Sequence, residues 1–127
     1  MMKVLATDKA PAAIGPYSQA VRCGDFVYVS GQLPIDPATG AFAGEGIADQ
    51  TRQSLTNIKS ILESEGLSMA NVVKTTVLLK NISDFGAMNE VYATFFTGAC
   101  PARAAFEVAA LPKDALIEID AVAYCKE

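Results

Sequence analysis

The chain has 127 residues, enough for one domain built on a single core. It carries ten Lys and Arg against fourteen Asp and Glu, for a formal charge of −4 and a pI near 4.7. It has no Lys/Arg run, which argues against the basic patch that nucleic-acid binding needs. Histidine is absent, which removes Ser–His and Cys–His nucleophile pairs, HExxH zinc sites and imidazole acid–base chemistry. Any catalysis must use carboxylate, hydroxyl, guanidinium, amine or backbone groups.

Hydrophobic residues make up 51% of the chain, and the mean hydropathy is +0.27. That is apolar for a small soluble protein and predicts a sheet face buried against other copies of the chain. No apolar stretch approaches the roughly 20 residues of a membrane span. The apolar part of the N-terminus is too short for a signal peptide, so cytoplasmic residence without membrane contact is the expectation. Cys23, Cys100 and Cys125 are odd in number and lack CxxC spacing, so neither a disulfide framework nor a metal site is expected.

Met2 to Ala6 reads as a short first strand. Pro11 to Pro16, with two prolines and a glycine, breaks regular structure. Tyr17–Arg22 and Asp25–Ser30 flank Cys23-Gly24 and read as a hairpin turning at Gly24-Asp25. Asp36-Pro37-Ala38-Thr39-Gly40 has the composition of a turn. From Gly46 the period changes. Ile47, Thr51, Leu55, Ile58 and Leu62 recur every three or four residues, the inner face of a helix that Gly66 ends. Asp49, Arg52, Gln53, Asn57, Lys59 and Glu63 are placed mostly outside. Val72 to Lys80 is a β-rich run. Asn81 to Asp84 offers a cap for a second helix, with Phe85, Met88, Tyr92, Phe95 and Phe96 as its apolar face. Gly98 and Pro101 stop it. Arg103 to Val108 is a strand, Ala109 to Asp114 a connection, and Ala115 to Tyr124 the last strand. The order β-β-β-α-β-α-β-β predicts helices crossing over one face of one sheet, in a single domain spanning 1–127.

Two residues carry most of the chemistry. Arg103 stands just after a proline at the head of a strand, and a guanidinium can hold a planar carboxylate through two parallel N–H bonds. Glu118 sits within Leu116-Ile117-Glu118-Ile119-Asp120, surroundings that raise a carboxyl pKa. On the last strand Ile117, Ile119, Ala121 and Ala123 share the face expected under the helices, and Glu118 lies on the other. Arg103 shares a face with Ala105 and Glu107. If the last two strands pair, Arg103 and Glu118 can lie on one face, with an ordinary surface ion pair as the bland alternative. Tyr17, after the rigid Gly15-Pro16, is either a phenol at a cleft or a half-buried strand tyrosine. Ser30-Gly31 is either a close approach of backbone to ligand or the end of a strand.

The blocks Ala13–Val21, Val27–Gly40, Phe85–Phe96 and Pro101–Ala123 closely resemble the RidA (YjgF-type) family of reactive-intermediate imine deaminases. The last block, P-x-R followed by L-I-E-I, carries the family's signature. The resemblance implies an α+β, chorismate-mutase-like fold. A mixed six-stranded sheet carries two helices on one face, and three copies pack their sheets into a central barrel with ligand clefts between neighbours. It implies cofactor-free, metal-free hydrolysis of 2-iminobutanoate and 2-iminopropanoate to 2-keto acids and ammonia. Arg103 would hold the substrate carboxylate, Glu118 would activate water, and Tyr17, Ser30, Gly31 and Asn89 would surround the ligand. Ala105 would contribute its backbone N–H, although relatives often have Cys or Thr there. The alternatives are a non-enzymatic, regulatory or chaperone-like trimer binding small ligands, and a ribonuclease or translation inhibitor.

Overall fold

The computed structural model describes residues 1–126. Six strands form one sheet: β1 (Met2–Leu5), β2 (Ala20–Cys23), β3 (Phe26–Gln32), β4 (Val72–Leu79), β5 (Ala102–Glu107) and β6 (Ile117–Tyr124). Their spatial order is β1-β2-β3-β6-β4-β5. The expected order of elements along the chain is therefore found. The β2–β3 hairpin turns at Gly24, whose φ of +62° lies in the left-handed region that glycine enters without steric cost.

Helix α1 (Ile47–Glu63) links β3 to β4, and α2 (Phe85–Tyr92) links β4 to β5. β4 and β5 are parallel neighbours joined through α2. β3 and β4 also run in one direction, because each is antiparallel to β6, which lies between them. Both helices cover the same sheet face. Ile117, Ile119, Ala121 and Ala123 of β6 are buried there with Val77 and Leu79 of β4 and with Leu55, Ile58, Ile61 and Leu62 of α1.

Several expectations are corrected in detail. β2 begins at Ala20, so Tyr17 and Ser18 belong to the preceding loop. Asn57 is fully buried, not outside. Its amide donates to the carbonyls of Leu33 at 3.2 Å and Ile35 at 2.9 Å, closing the Asp36–Gly40 turn region onto α1. Asn81 makes no side-chain cap. A single 3-10 turn, Ile82–Asp84, enters α2, and another, Ala93–Phe95, follows it.

The second sheet face has no helix over it. Alternation puts Met2, Val4, Phe26, Tyr28, Phe106 and Glu118 on it, and the first five are exposed. The apolar fraction noted in the sequence is thus spent partly on an uncovered sheet.

Candidate active site

The last two strands do not pair, because β4 separates them. Thr75 of β4 stands opposite Arg103 on one side and Ala121 on the other, whereas Leu78 stands opposite Glu118. Arg103 therefore projects on the helix-covered face and Glu118 on the uncovered one. Within one chain the two groups neither share a face nor form an ion pair, which corrects both readings left open by the sequence. Each belongs instead to its own cluster.

The first cluster surrounds Arg103. Its guanidinium carbon lies 4.9 Å from the ring centre of Tyr92 and 5.3 Å from that of Phe85. One terminal nitrogen donates to Asn89 Oδ1 at 2.7 Å. Tyr92 is fixed in turn by a 2.7 Å hydrogen bond with Thr75 Oγ1, and burial pushes its phenol above the usual tyrosine range, keeping it neutral. Among the described residues no carboxylate pairs with Arg103. A planar cation is thus held flat with donors to spare, beside a cavity of about 480 Å³ lined by Asn89, Tyr92, Phe96, Cys100 and Arg103. β5 is a sheet edge. Val108 N–H donates to Leu79 O at 2.9 Å, so ladder alternation turns the N–H of Ala105 outward, where it is free to donate. The sequence pattern marks Phe85 and Tyr92 only as core residues. Their spacing from Asn89 gave no sign that they would form a platform under Arg103.

The second cluster surrounds Glu118. The register of β3 against β6 slips between Val29 and Gln32, so Ser30 and Gly31 form a bulge inside the strand rather than its end. The Glu118 carboxyl lies against Gly31. A Cβ there would overlap its oxygen and come within 2.9 Å of its Cδ, so only glycine leaves the carboxyl its present place. Burial, and secondarily the Asp120 carboxylate on the same face, raise the Glu118 pKa above the ordinary value. Ser30 Oγ donates to Ser18 O at 2.6 Å, and Ser30 N–H to Gln19 O at 2.9 Å, which pins the loop that carries Tyr17. Tyr17 is half exposed, and with Gly31 it lines a cavity of about 260 Å³. Lys113, which the sequence did not single out, lines the same cavity.

The structure thus brings Arg103, Asn89 and Ala105 together at the β5 edge, and Glu118, Gly31, Ser30 and Tyr17 together around the β3 bulge. One half presents a guanidinium that pairs with no carboxylate among the described residues; the other holds a half-buried acid with a raised pKa. No grouping of Cys, Asp and Glu among the described residues has the arrangement of a metal site, and no described helix is long and apolar enough to cross a membrane.

A six-stranded mixed sheet with two helices on one face, an arginine at one edge and a carboxyl over a glycine bulge defines the chain as an α+β protein. The endoribonuclease L-PSP family model matches residues 7–125, and the chain belongs to that family, known also as YjgF/RidA. The chain is 56% identical to a RutC family protein of Pyrococcus horikoshii over 98% of both chains. It is 54% identical to the 2-iminobutanoate/2-iminopropanoate deaminase of Rattus norvegicus over 95% of this chain and 88% of the other. Among solved structures, Escherichia coli TdcF with bound serine superposes with a TM-score of 0.92 at 43% identity, over 96% of this chain and 98% of that one.

Proposed function

We propose that the protein hydrolyses reactive 2-imino acids and their enamine tautomers, 2-iminobutanoate and 2-iminopropanoate among them, to 2-keto acids and ammonia. Its own side chains suffice for this, and each site forms between neighbouring copies of a homotrimer. The observation that carries the reading is the Arg103 guanidinium, seated on two aromatic rings and paired with no carboxylate among the described residues. The deaminase name borne by a relative sharing 54% of its residues supports the reaction. The serine bound to TdcF supports a ligand with a carboxylate next to a nitrogen-bearing carbon.

The chemistry follows from the two clusters. The substrate carboxylate docks on Arg103 and the outward N–H of Ala105, which fixes C2. Glu118 of the adjoining copy takes a proton from water as the water oxygen bonds to C2 of the iminium and the C=N π pair moves to nitrogen. The amine of the resulting carbinolamine then takes that proton from Glu118. The C–N bond breaks, the hydroxyl proton is released, and C2 becomes the ketone carbon while nitrogen leaves as ammonia. A raised pKa makes Glu118 a better proton acceptor than an ordinary carboxylate. Tyr17 closes the cleft, Asn89 keeps the guanidinium plane in register, and Ser30 holds the Tyr17 loop. The uncovered sheet face, with Phe26, Tyr28 and Phe106 exposed, is the surface on which the copies pack.

The test is a threonine dehydratase reaction run with semicarbazide, which traps free imine. Adding this protein lowers the semicarbazone yield, and adding the Arg103→Ala variant does not. An unchanged yield with the wild type removes the enzymatic reading and leaves a ligand-binding protein.

A further inference from the structure

We propose that Lys113 is a specificity-determining residue, giving this site a preference for 2-imino acids whose side chain ends in a second carboxylate. The inference rests on the imine-hydrolase reading of the same site and adds a substrate class to it.

The cavity shared by Tyr17 and Gly31 has walls of Ile14, Leu33, Ile35 and Pro112, and Lys113 is the one cation lining it; the Glu118 carboxyl packs against Gly31, one of its lining residues. Gln19, another polar group on its wall, is already committed. Its Nε2 donates to the carbonyls of Thr7, Ala10 and Pro11, and its Oε1 accepts from Thr7 N–H. Among the described residues Lys113 has no ionic partner, and it lines a cavity whose other walls are mostly apolar.

The backbone gives a second, independent reason. Lys113 (φ 56°, ψ 23°) and Asp114 (φ 59°) are the two non-glycine residues with positive φ among those described. Lysine enters this region at a steric cost that glycine does not bear. Such strain persists only where the surroundings over-determine it. Here Asp114 Oδ1 accepts from Lys80 Nζ at 2.7 Å, Leu116 N–H donates to Gln50 Oε1 at 2.8 Å, and Lys80 N–H donates to Leu116 O at 3.0 Å. Three anchors and Pro112 thus fix where Lys113 leaves the main chain. A position that glycine would fill with less strain keeps a long cation next to the cavity. A terminal carboxylate on the substrate is the group that meets it, once the first carboxylate is taken by Arg103 and C2 lies near Glu118.

The experiment measures binding of 2-oxoglutarate and 2-oxobutanoate by calorimetry to the wild type and to Lys113→Met, Lys113→Arg and Lys113→Gly. Steady-state rates on the corresponding imines, made in situ by an amino-acid oxidase, accompany the binding. The expected result is a preference for the dicarboxylate in the wild type that falls about fivefold in Lys113→Met, as one screened ion pair implies, and survives in Lys113→Arg. Lys113→Gly loses the same preference while its Tm rises, because the strain is relieved. A ratio that stays put in the Met and Gly variants, with 2-iminobutanoate still hydrolysed, overturns this inference alone. A wild type that hydrolyses neither imine overturns it together with the function it rests on.

Discussion

The separation of Arg103 and Glu118 onto opposite sheet faces makes a prediction that few single-site variants can make. On the proposed function, Arg103→Ala removes the anion grip and Glu118→Gln removes the proton carrier, and each variant alone is expected to be inactive. Mixed after reversible dissociation, or co-expressed at equal levels, the two restore activity. In a cyclic assembly with one Arg103 and one Glu118 from adjoining copies per site, half of the arginine donors and half of the glutamate donors are intact. The draws are independent, so about one site in four is complete. Turnover per chain should return to roughly a quarter of the wild-type value if sites act independently. Both substitutions are mild for the fold: Arg103 is exposed, and Gln is nearly isosteric with Glu. The assay is imine decay in the coupled dehydratase reaction, with gel filtration or native mass spectrometry showing that mixed assemblies have formed. Mixed assemblies with no recovered activity would refute the two-copy site. Activity in either variant alone would refute the roles assigned.

Three further outcomes follow from the same geometry. Gly31→Ala puts a methyl where the Glu118 carboxyl lies; that carboxyl is the mobile end of a side chain, so Tm should move by only a few degrees while kcat falls at least about tenfold through misplacement of the acid. Unchanged turnover in that variant would show that the carboxyl position does not matter. A folded-state Glu118 pKa raised by burial and by Asp120 means the native chain holds its proton to higher pH than the unfolded chain does. Stability is therefore lost as pH rises from the unfolded value through the folded one. Glu118→Gln should raise Tm more at pH 7 than at pH 4, and Asp120→Asn should shift the acid limb of the pH–rate profile to lower pH. Glu65 is the opposite case. Hydrogen bonds from Lys3 and Arg22, at 3.0 and 3.1 Å, depress its pKa against the cost of burial. Its contribution is present above the unfolded value and fades as pH falls through the folded one, so Glu65→Gln should cost about 1 kcal/mol at pH 7 and much less at pH 3, read by urea unfolding.

The elements were legible because each carries its own period. The three- and four-residue recurrence from Ile47 to Leu62 can bury one face only as a helix, and the alternation from Ile117 to Ala123 can bury one face only as a strand. What remained hidden depends on partners far away in the chain. Nothing in 102–124 says that β4 will enter between β5 and β6, and that insertion decides which face Arg103 takes relative to Glu118. Asn57 looked like a surface residue because its partners, the carbonyls of Leu33 and Ile35, lie over twenty residues upstream. The left-handed backbone at Lys113 left no trace because the usual marker of that conformation, glycine, is missing there.

The proposed function also accounts for why a small, acidic, histidine-free chain exposes so much apolar sheet. Arg103 on an edge strand can reach a carboxyl on the bare face only if a second chain brings its own bare face alongside. Residues such as Phe26, Tyr28 and Phe106, which weaken a solvated monomer, are the natural means of bringing it there. On the proposed function, assembly and catalysis then share one surface. Substitutions that polarise that surface, Tyr28→Lys for example, should abolish turnover together with oligomer formation while leaving the helix-covered core folded. A monomer of such a variant that still hydrolysed imine would mean the catalytic groups meet in some way this fold does not provide.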